Sequence, residues 1–220
     1  MPHPVPLVQD PRPELIAAAR QFHRQGWMAG TAGNLSARLP DGSFWITASG
    51  CDKGTLDLDC FVRLSASGEV LERANSAFRP SAETSIHQTL YDLFPEAQAC
   101  YHVHSIEANL VCHFTQENSE GKILPLPPLE MLKGLGIWQE EPQVSIPVFP
   151  NYLEVPQIAA AIRDRIQTQS PDVPALLIRN HGVTVWAPST TAARHYLELS
   201  EYLFRYLVAC HQLNLKSINP

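Results

Sequence analysis

Apolar residues recur along the chain at two spacings. Leu15, Ile16, Ala19 and Phe22 recur at helical intervals and predict a helix over 13–26, ended by Gly26. Val155, Ile158, Ile162 and Ile166 mark a second amphipathic helix, and Tyr196, Leu199, Leu203, Tyr206, Cys210 and Leu213 form the stripe of a third over 189–213. A helix over 81–94 takes Ser81 as its N-cap, carries Glu83 in its first turn and stops at Pro95. Two shorter helices are expected, over 106–114 and from about 129, the latter carrying Glu130 with Pro128 at its start. Between them, short β-rich runs predict strands over 43–47, 60–64, 69–71, 97–101, 143–148, 174–180 and 182–187. The segment 115–122 is polar and reads as a loop, and 124–128 as extended chain.

No linker interrupts this pattern, so 1–220 reads as a single domain, with a proline-rich flexible tail over 1–11. The 220 residues suffice to bury roughly 70% of the surface of the unfolded chain. A formal charge of −6 and the lack of any Lys/Arg block argue against nucleic acid as a partner. No apolar run approaches the ~20 residues of a membrane span, and the N-terminus lacks the regions of a signal peptide. The five cysteines (Cys51, Cys60, Cys100, Cys112 and Cys210) include no Cys-x-x-Cys, which suits free thiols in a reducing cytoplasm.

The chemistry concentrates in Tyr101-His102-Val103-His104-Ser105. Residues i and i+2 of a strand share a face, so His102 and His104 present two imidazoles side by side. Such a pair suits a borderline-soft ion such as zinc, and His181, ending another apolar run, is the candidate third ligand. A bare His-x-His also occurs in histidines that hold nothing. His23, His87, His113, His195 and His211 read as ordinary core or surface histidines. Three small-residue segments have the character of an anion cradle: the loop at 33–36, the loop at 47–50, and the helix start at Ser81.

Six ordered segments now fall into one pattern: GTAGNLSAR (30–38), ITASGCDKG (46–54), RPSAET (79–84), YHVHS (101–105), LEMLKG (129–134) and RNHGVTVWA (179–187). Over about 12–212 the chain resembles the class II aldolase family, whose fold adducin heads share. The resemblance implies a three-layer α/β/α fold with a central mixed, largely antiparallel sheet, and one zinc ion per subunit. By the same likeness His102, His104 and His181 would be the metal ligands and Glu130 the catalytic acid/base. Asn34, Thr47, Ser49, Gly50 and Ser81 would hold a phosphate, although Ser81-Ala82 stands where aldolases have two adjacent serines. Glu83 falls where aldolases carry a carboxylate; acid/base work, substrate contact and a helix-start role all stay open for it. Lys133 would pair with Glu130 or attract the phosphate, or be a solvated helix residue.

The LEMLKG segment resembles that of a dehydratase branch of the family, and the resemblance would imply a 1-phosphorylated 2-ketose with a methylthio group at C5 as substrate. A sugar-phosphate aldolase or 4-epimerase is the first alternative, and a non-catalytic module like the adducin head the second. The family habit implies a homo-oligomer, a tetramer, with a small sugar phosphate as the partner and no membrane or nucleic acid.

Overall fold

The computed structural model describes residues 10–119 and 121–215, so the expected flexible tail lies outside the described residues except for Asp10 and Pro11. The chain opens with α1 (Arg12–Arg24), then runs through β1 (Asn34–Arg38), β2 (Phe44–Thr47), β3 (Phe61–Leu64) and β4 (Val70–Arg73) as an antiparallel meander. α2 (Thr84–Leu93) leads to β5 (Ala99–Val103), which returns to pair with β1. After α3 (Ile106–Val111) come the hairpin of β6 (Gln116–Asn118) and β7 (Gly121–Pro125) and a 3-10 turn over Glu130–Leu135. β8 (Ser145–Phe149), α4 (Val155–Thr168), β9 (Ala175–Ile178), β10 (Gly182–Ala187) and α5 (Thr190–Gln212) complete it.

The strands form one sheet in the order β4-β3-β2-β1-β5-β10-β9-β8-β7-β6. Among the described residues only β8 and β9 run parallel, and α4 connects them, as a parallel pair requires a crossover. The edge strands β4 and β6 are fully exposed and carry Glu72, Arg73, Gln116 and Glu117, which blunts both edges against further pairing. The α/β class and the largely antiparallel sheet agree with expectation.

Side chains alternate across the sheet and so build two cores. On one face α2 and α4 pack together; Tyr91 lies 5.5 Å from Phe44, and Phe94 stacks on Trp186 at 4.7 Å. On the other, α5 covers β5 and β10, and Phe22 of α1 meets Tyr101 edge-on at 6.0 Å. Phe22 is wholly buried, worth about 2–3 kcal/mol of transfer free energy.

Four expectations need correction. The helix expected from Ser81 begins at Thr84, with Glu83 at its N-cap position. Ser49 N–H donates to the Arg79 carbonyl (2.9 Å), and Pro80 bridges Ala48, which keeps 79–80 extended and delays the helix. The expected loop at 115–122 contains the β6–β7 hairpin, with Glu120 outside the described residues. Asn34 and Ser36, read as loop, lie in β1. The buried face of α5 runs through Ala193, Leu197, Ser200, Glu201 and Phe204, so Tyr196 and Leu199 only flank it and Leu213 is exposed.

That rotation buries Glu201, 3% exposed, with neither carboxyl oxygen in a well-formed hydrogen bond. Burial pushes its pKa up from 4.5 to about 8; the Ser105 hydroxyl and Arg205 favour ionisation, and Glu107 opposes it. Between those two values the folded chain holds a proton that the unfolded chain has released. Stability is therefore lost as pH rises through that window, by up to about 1.4 kcal/mol per pH unit. Glu201→Gln should remove this slope: its melting temperature should gain on the wild type's from pH 5 to 8 and no further above. A gap that stays constant with pH would refute the assignment.

Candidate metal centre

Strand register places the first histidine. Across the three central strands, His102 of β5 sits opposite Asn34 of β1 on one side and Thr184 of β10 on the other. All three are buried polar residues in the middle of a sheet, so each needs a partner. Thr184 Oγ1 lies 2.9 Å from His102 Nδ1. With Nε2 turned to the other histidines, Nδ1–H donates to the hydroxyl, and the Nε2 lone pair is left free. His104 follows the strand end, where its N–H donates to the Trp27 carbonyl at 2.8 Å.

His181 ends the three-residue turn between β9 and β10, where Asn180 takes a left-handed φ of 54°. The next residue must be Gly182, since a Cβ there would lie 2.0 Å from the Val103 carbonyl oxygen. Asn109 Nδ2 donates to the carbonyls of Ser105 (2.8 Å) and His181 (3.2 Å), tying the two histidine-bearing turns together.

The three imidazoles and the Glu83 carboxylate bring four ligand atoms within 4.8 Å of one another. His102 Nε2 and His104 Nε2 are 2.8 Å apart, His181 Nε2 is 2.7 Å from Glu83 Oε1, and Glu83 Oε2 is 3.3 Å from His102 Nε2. The rings stand at 73–89° to one another, edges converging. Burial pushes His102 down to about 4 and His104 down to about 3, keeping both rings neutral at physiological pH. Burial alone would raise the Glu83 carboxyl. His102, the His181 hydrogen bond and Asn34 outweigh it and hold the group well below the usual carboxylate range. Three imidazoles crowded around one carboxylate are a donor set for a divalent ion of the zinc type. This convergence is the observation by which the residues fit a metal.

The remaining candidate residues divide. Asn34 does not open toward an anion: its amide donates to Glu83, and its Oδ1 lies 2.5 Å from His87 Nε2. The Thr47 hydroxyl is fully buried and accepts the Leu35 N–H at 3.3 Å. Ser49 and Gly50 are exposed and Ser81 is half-buried, so these three stay available. Glu130 is not in a dry site within this chain. Its side chain is 79% exposed and pairs at 2.9 Å with Lys133, whose Nζ also lies 5.6 Å from the Trp138 ring centroid.

Sequence reasoning missed Thr184, Asn109, His87 and Lys53. Lys53 is 1% exposed, and its Nζ donates to the carbonyls of Thr31 (2.9 Å) and Cys51 (2.7 Å), joining the segments that flank two of the small-residue loops. A lysine within ITASGCDKG was the signal there. For Thr184 and Asn109 the signal lay in strand register and turn geometry.

Residues 13–208 match the family model of the class II aldolase and adducin N-terminal domain. Among curated proteins, the chain is 61% identical over 206 residues to the methylthioribulose-1-phosphate dehydratase of Microcystis aeruginosa, covering 94% of this chain and 98% of that one. It is 42% identical over 199 residues to the enzyme of the same name from Leptospira biflexa, covering 88% and 94%. Among solved structures, YgbL of Escherichia coli superposes with a TM-score of 0.74 at 28% identity, covering 90% of this chain and 88% of that one.

Thr184→Val removes the acceptor for His102 Nδ1–H while keeping side-chain shape. Affinity for a divalent ion, read with zinc as the probe by chelator competition, should fall by about tenfold. Unchanged affinity would mean that Thr184 does not orient the ring.

Proposed function

The chain belongs to the class II aldolase and adducin N-terminal domain family, and from that premise we propose that it is the lyase that dehydrates 5-methylthioribulose 1-phosphate to 2,3-diketo-5-methylthiopentyl 1-phosphate. The step fits methionine salvage. One observation carries the choice of substrate: the high identity, over nearly the whole of both chains, to a dehydratase of that name. The convergent donor cluster supports the chemistry.

His102, His104, His181 and Glu83 would hold the metal, which we take to be zinc from the ligand types. When bound, it supplies Lewis-acid polarisation of a substrate carbonyl. The chain's own residues then divide the remaining work. Glu83, held ionised and already engaged by His181 and Asn34, is a poor proton acceptor. Glu130 is the carboxylate left free of the cluster. It takes the C3 proton and returns a proton to the departing C4 hydroxyl, and the enol so formed ketonises to the 2,3-diketone. A carboxylate 79% exposed in the single chain needs cover for this role, and a homotetramer would supply it. Ser49, Gly50 and Ser81 are the groups for the phosphate, with Lys53 bracing two of the loops from behind. Lys133 holds Glu130 between turnovers or meets the phosphate.

Among the described residues no helix is long and apolar enough to cross a membrane, and all five cysteines are free, which supports a cytoplasmic enzyme. The family's alternative chemistry would cleave the C3–C4 bond, and an adducin-like binding module would need no cluster of three histidines.

The test is a product assay with zinc-loaded protein and 5-methylthioribulose 1-phosphate, read by phosphorus and proton NMR. The diketone phosphate with an intact carbon chain is expected; dihydroxyacetone phosphate with an aldehyde would replace this reading by the aldolase one. Glu130→Gln should keep zinc and lose turnover by at least about a hundredfold, the low end of what one acid/base group contributes. Turnover near wild type would remove Glu130 from the mechanism.

A further inference from the structure

A continuous chain of buried hydrogen bonds runs from the donor cluster into the core between the sheet and α2. Asn34 Nδ2 donates to Glu83 Oε2. Asn34 Oδ1 lies 2.5 Å from His87 Nε2, His87 Nδ1 lies 2.6 Å from Ser36 Oγ, and Ser36 Oγ lies 2.7 Å from the Tyr91 hydroxyl. Ser36 and His87 are wholly buried, and Asn34 and Tyr91 nearly so. Strand register and helix phase create the chain: Asn34 and Ser36 are alternate residues on one face of β1, and His87 and Tyr91 are one turn apart on α2.

The protons in this chain have one consistent direction. Burial keeps the Tyr91 phenol protonated, and among the described residues its hydroxyl has Ser36 as its sole hydrogen-bond partner, so it donates there. The Ser36 hydroxyl then donates onward. Its other acceptor in reach, the Cys100 carbonyl, is at 3.5 Å, against 2.6 Å for His87 Nδ1. Burial keeps His87 neutral at physiological pH, so a ring that accepts at Nδ1 carries its proton on Nε2 and donates it to Asn34 Oδ1. With its oxygen so engaged, the Asn34 amide must turn its nitrogen to Glu83. Reversing the chain would leave the Tyr91 proton buried without an acceptor, and would set an amide oxygen against a carboxylate oxygen.

We propose that His87, backed by Ser36, is a positioning residue: it locks Asn34 as a donor and so orients the Glu83 carboxylate toward His102, His104 and His181. The inference rests on the metal reading of that cluster. It adds that the orientation of Glu83 is set from inside the fold, by a residue two hydrogen bonds away. The sequence offered no sign of this, since His87 reads there as an ordinary core histidine.

The test compares His87→Phe with His87→Gln. Phenylalanine fills the space but releases Asn34; glutamine can still donate to Asn34 and accept from Ser36. Zinc affinity by chelator competition should fall about tenfold in His87→Phe and return to within about threefold of wild type in His87→Gln. In the product assay, kcat should follow the same order with KM unchanged, because no substrate contact is touched. Ser36→Ala, which removes one hydroxyl, should also weaken zinc binding and serves if His87→Phe does not fold. Tyr91→Phe, which leaves the Ser36 donor in place, should bind zinc like wild type. Unchanged zinc affinity in His87→Phe and Ser36→Ala would overturn the proposal, as would equal damage from Phe and Gln, which would reduce His87 to packing. Wild-type protein that binds no zinc would remove the metal reading itself, and this inference with it.

Discussion

A polar side chain in the middle of a wide sheet has no water to fall back on, and this structure places three in a row. Asn34, His102 and Thr184 lie abreast on β1, β5 and β10, and each answers the need of the next or of a group above it. The unpaired cost of such a group is about 1–3 kcal/mol, comparable to a large part of a domain's net stability. The row therefore tolerates only arrangements that satisfy every member. Threonine fixes the tautomer of His102, Asn34 is spoken for from both ends, and the carboxylate above them is left as an acceptor. The geometry of the cluster thus follows from polar satisfaction inside the sheet as much as from the histidines themselves.

The two halves of the cluster are built differently. His102 rides on a central strand with neighbours on both sides, the most rigid place the fold offers. His104 and His181 sit just past strand ends, on turns that a strand alone would not hold. Three contacts make up the deficit: the Trp27 carbonyl on His104, the close approach that demands Gly182, and Asn109 reaching both turns. The Asn109 contact means that the two turns shift together or not at all. This is the kind of support a ligand set needs if its atoms are to hold their spacing within a few tenths of an ångström.

What could be read from the sequence was periodic or local. The strand carrying His102, the turn carrying His181, the three long helices and most strand positions follow from spacing and from turn residues. What could not be read depended on which strands are neighbours. Thr184 becomes a partner of His102 only because β10 lies beside β5. Two glycines before Asn34 predict a loop there, yet pairing with β5 draws it into a strand and turns it inward. The helix-start pattern at Ser81 yields to a bridge between Pro80 and Ala48, so α2 begins three residues later, at Thr84. Glu130 stands out in the sequence by motif alone, and motif says nothing of solvent; its exposure is a property of the single chain's surface.

The sheet order also has a bearing on how the molecule is made. β5 is flanked on one edge by β1, which precedes it, and on the other by β10, with 82 residues separating His102 from Thr184. As the chain leaves the ribosome, β5 can pair on one side at once, but its second edge stays open until β10 has been synthesised. The strand carries Ala99, Tyr101 and Val103 on one face, apolar residues that end fully buried. For the time it takes to translate the intervening segment, the strand destined to be the centre of the molecule is an exposed, β-prone edge. Its late partner closes the sheet and brings His181 to the cluster in the same event, so the donor cluster is completed only when the centre of the sheet is.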